Sequence, residues 1–181
     1  MDEIVLAALR KWPAVPACRG WLGLDARGDW YLRDERAQAA GPFPRVKGSR
    51  VEHAALRGFI ERNYAADALG GWFFQNGPQR VYVELEAAPW VWRLAPSGDA
   101  ARVQSHTGAP ARVDSCWLDE DGRLFLGTDL GLGIVHTQDM VVAAAVVERG
   151  GWAPVEVSFA ELRQRFGYRL SPSRDGGRGP A

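Results

Sequence analysis

The pattern Asp-x-x-Gly-x followed by three large apolar or aromatic residues occurs three times, and no other feature restricts the fold as strongly. The copies are Asp25-Ala26-Arg27-Gly28-Asp29 before Trp30-Tyr31-Leu32, Asp67-Ala68-Leu69-Gly70-Gly71 before Trp72-Phe73-Phe74, and Asp119-Glu120-Asp121-Gly122-Arg123 before Leu124-Phe125-Leu126. An aspartate can accept hydrogen bonds from the backbone just ahead of it, and glycine takes the left-handed conformation that closes a tight turn. With apolar runs on both sides, each copy reads as a β-hairpin. The copies begin 42 and 52 residues apart, which is not the even period of a propeller or solenoid. A looser echo, Val147-Glu148-Arg149-Gly150-Gly151-Trp152, lacks the leading aspartate. The expected fold is α+β: mostly antiparallel hairpins with two or three amphipathic helices, and repeated structural motifs in two halves.

The helices announce themselves by period and by caps. Ile4, Val5, Ala8, Leu9 and Trp12 recur near 3.6 residues, with Asp2 and Glu3 in the first turn and Arg10 and Lys11 in the last, so a helix is expected over 2–12, stopped by Pro13. Ser49-Arg50-Val51-Glu52 has the form of a capping box opening a helix to about Asn63, with Val51, Ala55, Phe59 and Ile60 as its buried stripe. Ser158-Phe159-Ala160-Glu161 is a second box, and Gly167 ends that helix as a left-handed cap. Strict alternation makes Val81 to Glu86 a half-buried strand and Trp90 to Leu94 another, with a turn at 95–99. The expected organisation is an α+β half at 1–94, a second at 95–170 sharing the core, and a disordered tail at 171–181, where Gly, Pro, Ser and Arg dominate.

Twenty-two basic residues balance 22 acidic ones, which argues against nucleic acid and against an anionic membrane surface as partners. The first residues lack a signal-peptide pattern, no apolar run approaches the length of a membrane span, and Cys18 and Cys116 have no partner cysteine nearby. A cytoplasmic location is expected.

Candidate sites are few. The best local case for anion binding is Pro44-Arg45-Val46-Lys47-Gly48-Ser49-Arg50, where Arg45, Lys47, Ser49 and Arg50 would gather at the N-terminus of the expected helix. Trp90 and Trp92 share one strand face and could line an aromatic groove, although packing explains most of the 8 tryptophans. His106, His136 and Asp139 are the residues an enzyme would have to bring together. Their spacing does not specify a metal, His53 reads as a solvated or capping-region residue, and Cys116 reads as a buried small hydrophobe. No cofactor motif is present, and no cofactor or metal is expected.

The order Asp25-x-x-Gly28-x-Trp30, helix, Asp67-x-x-Gly70-x-Trp72-Phe73, Val81-Tyr82-Val83-Glu84 and Ala88-Pro89-Trp90-Val91 resembles uncharacterised proteobacterial families of unknown function. One of them reads Asp-Gly-x-Trp, a helix, Asp-Gly-x-Tyr, a Val-Glu-rich strand and Asp-Ala-Pro-Phe-Val, and is similar over about residues 20–94. The resemblance implies a fold of repeated structural motifs and a role in signal transduction, and it brings no catalytic residue. The reading is therefore a noncatalytic binding or regulatory interaction module whose partner is an unidentified small molecule or protein. The alternatives are a small-molecule enzyme using His106, His136 and Asp139, and a homodimer formed through exposed strand edges.

Overall fold

The computed structural model describes residues 1–172. The chain divides into two units, one comprising Met1–Asp25, Asp29–Glu86 and the chain from Tyr168, the other Ala26–Gly28 and Ala87–Gly167. The fold is α+β, with one mixed sheet in each unit.

Unit 1 contains α1 (Glu3–Lys11), β1 (Cys18–Leu24), β2 (Trp30–Leu32), α2 (Glu35–Ala40), β3 (Ser49–Arg50), α3 (Ala54–Arg62), β4 (Tyr64–Ala66), β5 (Trp72–Asn76) and β6 (Gln79–Leu85). Its sheet runs β3-β2-β1-β6-β5-β4, with β1 and β6 parallel and all other neighbours antiparallel. Leu22, Leu24, Trp30, Phe74 and Val83 are buried together with Ile60 of α3. Trp30 meets Tyr64 edge-on at 5.2 Å, and Phe59 meets Phe74 at 5.4 Å. The excursion between β2 and β3 is held by Arg33, 4% exposed, whose guanidinium donates to the carbonyls of Gly20, Ala37, Gly41 and Val46. A buried guanidinium is tolerated where its donors are spent in this way.

Unit 2 contains β7 (Trp90–Ser97), β8 (Ala100–Ser105), β9 (Pro110–Ala111), β10 (Val113–Leu118), β11 (Leu124–Thr128), β12 (Gly131–Val135), α4 (Met140–Glu148), β13 (Val155–Glu156) and α5 (Phe159–Phe166). The sheet order is β13-β10-β11-β12-β7-β8-β9, with β7 parallel to β12. Arg112 alone separates β9 from β10, so the sheet must curl until those strands approach. Its inner face is a continuous cluster of Trp92, Leu94, Val103, Cys116, Leu124, Leu126 and Val135, closed by Ala143 of α4.

Apart from β13, the two sheets have one topology. Each is a pair of three-stranded meanders joined through parallel pairing of the first strand with the sixth: 3-2-1-6-5-4 in unit 1 and 9-8-7-12-11-10 in unit 2. The turns repeat as well. In each signature copy the Asp N–H donates to the carbonyl four residues on, whose own N–H returns to the Asp Oδ1: Asp25 with Asp29, Asp67 with Gly71, Asp119 with Arg123. The intervening glycines have φ of 83, 79 and 72°. Oδ2 then takes a side-chain donor, Tyr31 and Lys47 for Asp25, Tyr82 for Asp67 and Arg123 for Asp119. Ser105-His106-Thr107-Gly108-Ala109 is a fourth copy hidden in the sequence, with Ser105 Oγ replacing the carboxylate and Gly108 at φ 89°.

Several expectations are corrected. Among the described residues five helices form, of which α1, α3 and α5 are amphipathic, as expected. Ser49 opens no helix: Ser49 and Arg50 pair with Leu32 and Tyr31 as β3, and α3 begins only after His53, whose Nδ1 accepts from the Leu56 N–H. Sheet hydrogen bonds and burial of Val51 outweigh the local capping pattern. The Val147 to Trp152 echo is the end of α4, where Gly150 N–H reaches the Val147 carbonyl and Gly151 N–H the Val146 carbonyl in a Schellman cap. In α1 only Val5 of the expected stripe is buried. The strand expected to stop at Leu94 runs unbroken to Ser97. The second capping box forms in full, with Ser158 and Glu161 bonded reciprocally and Gly167 left-handed. Of the expected tail, residues 173–181 lie outside the described residues.

Candidate functional site

The site with the most developed geometry is an apolar groove in unit 1, and it starts from a defect in β1. Cys18 pairs with Val81 and Leu22 with Val83, so three residues of β1, Arg19 to Trp21, stand against the single Tyr82 of β6. Gly20 supplies the kink with φ of 80°, and a Cβ there would come 2.7 Å from Gln38 Oε1. Bulges of this kind re-aim side chains. Here Cys18, Trp21 and the adjacent Leu22 all line one cavity, opposite Leu56 and Phe59 of α3.

The cavity holds about 620 Å³, within the range of small-ligand sites, and Leu32, Phe74 and Val81 extend its apolar wall. Arg33, Asp34 and Asn76 are the polar groups beside it. Asp34 also caps α2 through Ala37 N–H at 2.8 Å. Trp21, Leu32 and Leu56 are 41, 47 and 37% exposed, so three large apolar side chains converge on solvent in one place. Single exposed hydrophobes are ordinary, whereas a contiguous apolar set calls for an explanation. Sequence reasoning missed this groove. Its one local sign was an isolated glycine, Gly20, within the apolar segment that forms β1.

The residues singled out from sequence are placed elsewhere. Lys47 Nζ lies 3.0 Å from Asp25 Oδ2 and 2.9 Å from Glu86 Oε2, and Arg50 bonds Asp29 at 2.6 Å. Partial burial works against the charge of Lys47, yet its bonds to Glu86 and Asp25 raise its pKa above the ordinary lysine value. Arg45 and Ser49 are exposed, and the helix expected to open at Ser49 begins only after His53. The helix N-terminus on which the expected anion site was argued is therefore not at Ser49.

Trp90 and Trp92 do share a face, with rings stacked at 6.1 Å, but the pair belongs to the packing of unit 2. Trp92 is fully buried, and the indole N–H groups donate to the carbonyls of Leu130 and Leu126. The enzyme set is also committed to structure. His106 Nδ1 accepts from Val91 N–H, His136 Nδ1 from Gln138 N–H, and Asp139 binds the Arg93 guanidinium at 2.6 Å and Leu94 N–H at 2.9 Å. The Arg93 hydrogen bond holds Asp139 below the usual carboxylate pKa. Among the described residues no group of three or more His, Cys, Asp or Glu is placed to hold a metal ion.

Fold and site together define the class: an α+β protein of two meander-pair units, one of which carries an open apolar groove. The chain matches, over residues 1–173, the family DUF2944, described as "Protein of unknown function (DUF2946)", and it belongs to that family. Among solved structures, a DUF1285 family protein from Shewanella baltica OS155 is similar at 16% identity with a TM-score of 0.47, over 68% of this chain and 90% of that one. No curated protein matches the chain. Among the described residues no helix is long and apolar enough to cross a membrane.

Proposed function

We propose that the chain is a noncatalytic binding and interaction module whose recognition site is the unit 1 groove. The observation that carries this reading is the convergence of exposed Trp21, Leu32 and Leu56 on a 620 Å³ apolar cavity shaped by the β1 bulge. Such a surface gains free energy when covered, at about 25 cal/mol per Å² of apolar area removed from water. The free thiols of Cys18 and Cys116 support a cytoplasmic setting. A regulatory role, which the sequence resemblance implies, would follow if occupancy of the groove changes with the state of the cell.

The test is titration with an anilinonaphthalene fluorophore, a general probe of accessible apolar sites. Trp21→Glu and Leu32→Glu should each weaken binding by about tenfold or more. Val141→Glu, at a residue 81% exposed on α4, should leave it unchanged. Wild-type affinity in both groove variants would refute the reading.

A further inference from the structure

We infer that the groove of unit 1 receives helix α1 of a second copy of this chain. This rests on the groove being the recognition site and adds what occupies it.

The shared topology supplies the first reason. In unit 2 the strands corresponding to β1 and β2 are β7 and β8, and helix α4 closes their inner face: Ala143 and Val146 are buried, and Met140 and Val142 pack against the cluster containing Trp92, Leu94 and Val103. In unit 1 the corresponding strands carry Trp21 and Leu32, which stand open at the groove. What completes the duplicated arrangement is a short apolar helix.

The chain itself presents such a helix. α1 buries only Val5, while Ile4, Leu6 and Trp12 in and beside it are 75, 40 and 51% exposed. Helix and groove are thus two uncovered apolar surfaces of one unit, and a second copy satisfies both at once. The basic end of α1, Arg10 and Lys11, has Asp34 to meet at the groove, while the neighbouring Arg33 spends its guanidinium on backbone carbonyls. Pairing through sheet edges is the weaker route. The terminal strands β3, β4, β9 and β13 are only two or three residues long and offer few free backbone groups. A helix in a groove on a two-fold axis makes the contact twice.

Sedimentation velocity of the full chain over a micromolar concentration series tests this. The wild type should form a reversible dimer. Ile4→Glu and Trp21→Glu, both at exposed positions and checked for folding by far-ultraviolet circular dichroism, should each weaken association at least about tenfold. An equimolar mixture of the two variants should recover part of the dimer, since it retains one intact helix and one intact groove. A wild type that stays monomeric throughout, or a dimer indifferent to both substitutions, overturns the proposal. If that monomer still binds the fluorophore at the groove, the occupant is a small apolar ligand or another protein's helix; if it does not, the groove reading falls too.

Discussion

Replacing Trp92 by alanine is expected to lower stability by about 3–5 kcal/mol in urea unfolding, the cost of truncating a fully buried aromatic side chain. The indole is 0% exposed, stacks on Trp90, and donates to the Leu126 carbonyl at 3.0 Å. Gly133 lies directly against it: a Cβ at that position would stand 2.5 Å from the indole Nε1. Truncation therefore opens a cavity where the neighbouring strand has no side chain to fill it, and it removes the indole N–H bond to the Leu126 carbonyl. A loss below about 1 kcal/mol would be that of an ordinary surface substitution and would contradict this placement.

The second large effect is a dependence on pH set by His106. The residue as a whole is half-buried, but its Nε2 is enclosed and Nδ1 accepts from the Val91 N–H. Burial lowers the imidazole from its ordinary 6.5 to about 3. The unfolded chain therefore takes up a proton near pH 6.5 that the folded chain refuses until about pH 3. The resulting stability is fully present above pH 6.5 and is lost as pH falls toward 3, at up to about 1.4 kcal/mol per pH unit. Over the whole window this amounts to roughly 4–5 kcal/mol as an upper value. Unfolding measured between pH 7 and 4 should show a steeper acid loss in the wild type than in His106→Gln. Equal slopes would mean that the imidazole is not held neutral in the folded chain.

What could be read from sequence was what local chemistry decides. Asp25, Asp67 and Asp119 each need a glycine three residues on to close their turns, so the hairpins were legible, and Ser158 with Glu161 formed the cap their spacing required. Ser105 escaped notice because a hydroxyl makes the same return bond from a residue that does not look acidic. Helix α4 escaped for a different reason. Met140 to Val147 are apolar on every side, and a uniformly apolar run carries no helical period. The Ser49 box misled because its local bonds compete with a strand pairing to β2, distant in sequence, which only the folded sheet reveals. The site was least legible of all. Trp21, Leu32, Leu56 and Phe74 come from separate elements, and they converge because of a bulge and a sheet order that no local pattern encodes.

The duplicated topology also explains how one unit can be finished and the other open. Both sheets join their meanders through a parallel pair, and both bury an aromatic on the inner face, Trp30 in unit 1 and Trp92 in unit 2. They differ in what lies over the first two strands. Unit 2 has α4 there; in unit 1 Leu22, Leu24 and Trp30 are buried, but Trp21 and Leu32 are left exposed. The apolar groove of unit 1 is thus a place where the duplicated arrangement is left less covered than in unit 2.

The alkylation rate of Cys18 tests the groove most directly. This thiol lines the cavity and is part-exposed, whereas Cys116 is 5% exposed and burial raises its pKa to about 11, so a thiol reagent reports on Cys18. Saturating anilinonaphthalene fluorophore should slow modification of Cys18 in the wild type and leave the rate unchanged in Trp21→Glu. A Cys18 rate indifferent to bound fluorophore in the wild type would place the binding surface elsewhere and contradict the account.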